Sequence, residues 1–227
     1  MTAEPTWSDP FGPTITAADG FEDLAEAMRR LQDAYTGSLL DEATARRLAA
    51  RIRALADELD ACAVDEDRQL AGRLPERAGR GQVLAPVLHI DTVGADRASG
   101  HVRIGRFHAG RYAAHGGVAP LIFDEILSRL GNSGGREWAR TASLTVNYRA
   151  PAPLDTDLTV TAEIVGQQGR KRYLRGELRS GDLLVADAEG LWVQTTPEAG
   201  TDRTADALAA ITTTHPTAPA DSLQRHR

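Results

Sequence analysis

Cysteine is almost missing from this 227-residue chain: Cys62 is the single one, which excludes an internal disulfide and a thiolate metal cluster. An excess of positive charge is missing too. Lys and Arg total 26 against 32 Asp and Glu, for a net charge of −6, whereas non-specific nucleic-acid binding needs a basic footprint. No apolar run approaches the length of a membrane span, so neither nucleic acid nor membrane is an expected partner. The first residues carry acids and prolines where a secretory signal has a basic stretch followed by an apolar one, and the expected location is the cytoplasm. No HxxxH, HExxH or Cys/His cluster offers a metal site, and no GxxxxGK(S/T) pattern offers a phosphate loop. No cofactor is therefore expected. The 41% hydrophobic content supports a core, and the length suits one ordinary domain plus an extension.

The most informative stretch is His115-Gly116-Gly117, with Asp124 nine residues after the histidine. Two glycines open an apolar helical run, and a carboxylate follows about two turns inside it. Glycine lets backbone come close to a ligand because no Cβ intervenes. The first amides of a helix have no intrahelical partner and lie at the positive end of its dipole. Such amides suit a carbonyl oxygen that gains negative charge during acyl transfer, and a nearby carboxylate suits a nucleophile or general base. At about 100° per residue, Ala119, Ile122, Phe123, Ile126 and Leu130 form one apolar stripe. Glu125 and Arg129 lie opposite, spaced for an ion pair on a solvated face. Asp124 falls between, in a column with the small residues Gly117, Pro120 and Ser128, where a ligand can approach. The alternative is a boundary carboxylate that only meets water.

Breakers at Pro5, Pro10, Gly12 and Pro13 make residues 1–19 a loop or disordered start. Residues 20–82 read as a helical extension and linker. One helix spans 21–35, through Phe21, Leu24, Ala25, Met28 and Leu31. A second spans Asp41 to about Cys62, with a stripe at Leu48, Ile52, Leu55 and Leu59. The two are expected as an antiparallel hairpin or an arm, and 63–82 as a charged linker. Strands are expected at Val83–Asp91 and His101–Phe107, separated by a turn around Gly94 and Gly100. After the 116–130 helix come Thr141–Arg149, Asp157–Gln167, Lys171–Ser180 and Leu183–Gln194, an antiparallel meander. Residues 197–227, rich in Thr, Ala, Pro and Asp, read as a disordered tail. A sheet with one apolar face must cover it, and one long helix across a curved sheet does so. The class is α+β.

This ordered set resembles the hotdog fold of the PaaI-type acyl-CoA thioesterase family over residues 83–196. The resemblance rests on His115-Gly116-Gly117 with Asp124, on Thr141 to Pro151, on Gly169-Arg170-Lys171 at a hairpin, and on Ala186, Glu189 and Gly190. It implies a curved antiparallel sheet wrapped around the 116–130 helix. It also implies a homodimer, or a homotetramer built from such dimers, with active sites at the subunit interface. The substrate implied is an acyl-CoA. Asp124 would attack the thioester carbonyl or activate water, Gly116 and Gly117 amides would bind its oxygen, and Thr141 would orient the water or the carboxylate. Many relatives carry a polar residue about six positions before the histidine. Here that position is Ala109, so either His108 substitutes or a contact is missing.

His115, directly before the glycines, suits an orienting role in the catalytic loop. Arg170, Lys171, Arg172, Arg175 and Arg179 form a basic cluster. Its alternatives are plain solvated surface and a contact with the phosphates of coenzyme A. Lys171, Arg172 and Arg149 are the candidates for that contact. Two rival functions stand beside hydrolysis. One is a hotdog dehydratase or hydratase, whose paired His and acid are not found at the needed spacing. The other is a non-catalytic acyl-CoA sensor.

Overall fold

The computed structural model describes residues 20–65, 68–74 and 77–195; the expectations for 1–19 and 196–227 lie outside them. Helix α1 runs Phe21–Thr36 and α2 runs Glu42–Asp60. The Asp41 carboxylate caps α2 by accepting from the Thr44 amide at 2.7 Å. Strands β1 (Leu88–Val93) and β2 (Arg97–Arg103) precede helix α3 (Val118–Gly131). Then come β3 (Ala139–Tyr148), β4 (Asp157–Gln168), β5 (Lys171–Ser180) and β6 (Leu183–Gln194). They form one antiparallel sheet in the order β1-β2-β4-β5-β6-β3.

The inward faces of β4, β5 and β6 alternate as a half-buried sheet should. Leu158, Val160 and Ala162 face α3, as do Leu174 and Leu178, and Ala186, Ala188 and Trp192. Helix α3 supplies the other half of the core with Ile122, Phe123, Ile126, Leu127 and Leu130, each no more than 1% exposed. Phe123 sits over Gly176, where an added Cβ would lie 3.0 Å from its ring. That missing side chain lets the helix approach the sheet.

Three expectations need correcting. The first hairpin is shifted along the chain: Gly100 is inside β2, paired with Ile90, and the turn closes with the Gly94 amide donating to the Arg97 carbonyl at 2.7 Å. Pro86 keeps the preceding residues out of the ladder. The 63–82 stretch is more than a linker. Leu74 is buried, and Arg80 approaches Glu125 on α3 at 3.6 Å. The Glu125–Arg129 pair forms at 2.6 Å, but its side chains are only 24% and 15% exposed, because this segment lies over them.

Helix α1 is fastened to the domain. Ala25 is buried, Arg29 Nη2 donates to the Gln82 carbonyl at 2.8 Å, and Asp33 accepts from the Phe107 amide at 2.6 Å. Helix α2 buries none of its residues.

Candidate active site

Helix α3 and strand β3 run antiparallel, so the two ends of α3 meet the two ends of β3. At the end of α3, the Asn132 side chain bonds both the amide and the carbonyl of Ala139, at 2.7 and 3.1 Å. One step along, the Thr141 hydroxyl donates to Asp124 Oδ1 at 2.8 Å. At the start of α3, the Tyr148 hydroxyl donates to the Gly116 carbonyl at 2.6 Å. Thr141, Leu144, Val146 and Tyr148 thus share the face of β3 that looks at α3. Strict alternation would put Ala142 there instead of Thr141. A bulge between Thr141 and Ser143 inserts the extra residue that turns the threonine inward.

Asp124 is exposed while its neighbours Phe123 and Ile126 are fully buried. It is a carboxylate held by one hydroxyl on a rigid helix, with Oδ2 accepting no hydrogen bond among the described residues. That is the arrangement a nucleophile or base requires. The glycine turn is built differently from the expectation. His115 Nδ1 accepts from the Gly117 amide at 3.0 Å, so the imidazole proton sits on Nε2 and the Gly117 donor is taken. The Gly116 amide keeps no partner among the described residues and remains available. A cavity of about 310 Å³ opens beside it. Its walls include Ile104, Leu178 and Val185, with His115, Tyr148 and Arg149 as polar lining. The pocket is mostly apolar with a few convergent polar groups, as ligand pockets are.

The other candidates are dispersed. His108 Nε2 bonds the Leu84 carbonyl at 3.0 Å and lines a separate groove against α1, not the cavity at Gly116. Lys171 is exposed at the far end of β5. Arg172, expected at the surface, is 2% exposed. Its Nη1 donates to the Gly131 carbonyl at 2.8 Å, a cation at the negative end of α3. Burial, with Arg136 nearby, lowers its pKa from the usual guanidinium value. The signal for this lies in the strand phase, which Arg172 shares with Leu174 and Leu178. Tyr148 escapes sequence reasoning, because nothing local says that its hydroxyl meets the glycine turn.

Arg149 lines the cavity and binds Asp187 at 2.5 Å. The Arg149 hydrogen bond, then that of Asn147, holds the Asp187 carboxyl below the usual carboxylate value. A depressed folded pKa stabilises above the unfolded value and is lost as pH falls through the folded one. Thermal midpoints measured from neutral pH downward should therefore fall less steeply for Asp187→Asn than for wild type below about pH 4. Because Arg149 is half exposed, the difference should be small; identical acid limbs would count against the pair.

A sheet with one helix laid across it, and a glycine turn at that helix's start, defines a hotdog domain. The family model of the thioesterase superfamily matches residues 113–187 of it. A solved structure described as a thioesterase superfamily protein superposes with a TM-score of 0.67 at 26% identity, over 81% of this chain and 94% of that one. The acyl-coenzyme A thioesterase THEM4 of Bos taurus is 31% identical over 86 residues, 37% of this chain. The match spans only about a third of that relative, 35% of its length. A structure of the phenylacetic acid degradation protein PaaI from Thermus thermophilus is 22% identical with a TM-score of 0.45, over 48% of this chain and 93% of that one. Among the described residues no helix is long and apolar enough to cross a membrane.

Proposed function

We propose that this protein hydrolyses acyl-CoA thioesters to free acid and coenzyme A. The observation that carries the proposal is Asp124: a solvent-facing carboxylate on a buried helix, oriented by Thr141 at 2.8 Å. Asp124 either attacks the thioester carbonyl or takes a proton from the attacking water, and Thr141 fixes the reacting oxygen. The Gly116 amide, at the positive end of α3, steadies the oxygen that gains charge. His115 holds the turn that presents it. Arg149 is the candidate contact for coenzyme A phosphates near the cavity, and Lys171 a second one. Arg172 and His108 drop out of the set, being bound to backbone carbonyls.

Helix geometry adds a requirement. Gly116 precedes Asp124 by eight residues, or about 12 Å along the axis at 1.5 Å each. One carbonyl carbon cannot be within bonding reach of both. A complete site needs Asp124 from one copy and the glycine turn of another. The free edge of β3, ten residues long, offers the unpaired backbone groups through which two copies can join. The expected assembly is a homodimer, tested by light scattering at micromolar concentration; a strict monomer would sink the shared site.

The direct test is a screen of short, medium, long and aromatic acyl-CoAs, followed by release of free coenzyme A. Turnover on at least one class is the expected result. Saturable binding of acyl-CoA without any turnover would favour the non-catalytic sensor instead.

A further inference from the structure

Helix α2 presents an apolar stripe to solvent. Ile52, Leu55 and Leu59 are 46%, 55% and 49% exposed, and with Ala45 and Leu48 they follow the three-and-four spacing of a coiled-coil seam. Asp41 and Glu42 suit the start of its dipole, but the charges at its other end run against it. Arg46, Arg47, Arg51 and Arg53 run from the second turn to just past the middle, while Asp57, Glu58 and Asp60 crowd the C-terminus, and no basic residue occupies the last turn. An isolated helix is stabilised by the reverse order. Arginines before an acidic end suit a partner helix of opposite polarity.

Helix α1 of the same chain is not that partner. In an antiparallel hairpin its acidic start, Glu22, Asp23 and Glu26, would face the acidic end of α2. Like charges would meet at that end. This accounts for the absence of any buried residue on α2.

We propose that α2 pairs antiparallel with α2 of a second copy of this chain. Taking Ile52 and Leu59 as a positions and Leu48 and Leu55 as d positions, Ile52 packs beside the partner's Leu55, and Leu48 beside the partner's Leu59. On one flank Arg51 lies next to the partner's Glu58, and the two-fold axis repeats the pair. On the other flank Ala49 and Ala56 keep the helices close. A parallel pair would set Arg51 beside the partner's Ala56 and form no charge pair on either flank. The basic half of each helix covers the acidic half of the other, which also opposes the two dipoles. This surface is separate from the β3 edge and does not depend on the thioester reading. The two contacts together would make a tetramer.

The test uses the full chain and sedimentation equilibrium over a concentration series. Ile52→Glu with Leu55→Glu should halve the assembled mass, whether from tetramer to dimer or from dimer to monomer. Both positions are exposed, so circular dichroism should keep its strand signal. Arg51→Glu alone and Glu58→Arg alone should each weaken association about tenfold. An equimolar mixture of these two single variants should restore it, because each mixed pair again sets acid against base on both sides. An unchanged mass in the apolar double variant would overturn the proposal, with or without a fall in helicity that would signal packing on the same chain. A mixture no stronger than its components would overturn the antiparallel arrangement.

Discussion

Asp124→Ala should lower kcat for acyl-CoA hydrolysis on the order of 10²-fold or more, the usual worth of a positioned base. The thermal midpoint should stay near that of wild type. The side chain is exposed, so truncation opens no cavity, and alanine suits a helix interior. Thr141 loses an acceptor but is itself exposed and meets water instead. Asp124→Asn should be comparably slow, since the amide is a poor nucleophile and takes no proton. KM should change less than kcat in both, because the cavity beside Gly116 and the Gly116 amide are untouched. Turnover near wild type in both variants would remove Asp124 from the mechanism. A fall in thermal midpoint with turnover intact would make it a structural residue.

Trp192→Ala should be the most destabilising single change, by about 3–5 kcal/mol. Trp192 is fully buried, and its indole N–H donates to Ser128 Oγ at 3.1 Å, tying β6 to α3. Its ring lies over Gly190, where a Cβ would meet it at 2.2 Å. It also stands in register between Arg172 on β5 and Thr141 on β3. Removing it takes away the packing that holds α3, with Asp124 one turn before Ser128, against the strand that carries Thr141. The midpoint should fall by roughly 10 °C, at the few degrees per kcal/mol expected for a chain of this size. Turnover below the midpoint should fall as well, through a loosened Asp124–Thr141 contact. A shift of only a degree or two would show that the core repacks around the loss.

How much of this was legible in the sequence depends on how local each feature is. The α3 stripe, the start of α2 at about Asp41 and the bounds of β5 and β6 follow from periodicity and breakers within a few residues, and the structure has them where the sequence puts them. Asp124 and Thr141 were readable as candidates, since helix phase and family resemblance both single them out. Their 2.8 Å contact was not. It requires β3 to cross to the far edge beside β6, and a bulge to turn Thr141 inward. A bulge reverses the very alternation from which a facing is read.

The same division explains the corrections. His115 occupying the Gly117 amide is a choice made by the folded turn between two acceptors of similar chemistry, His115 Nδ1 and a ligand oxygen. Arg172 entered the core because the register of β5 against β6 sends that phase toward α3, where the helix's last carbonyls want a donor. Glu125 and Arg129 left the solvent because a segment from far upstream lies over them. Composition and periodicity determined which elements form and which side chains are chemically able to act. The tertiary structure decided which of those side chains meet, because strand order, bulges and coverage are set by contacts between residues distant in the chain.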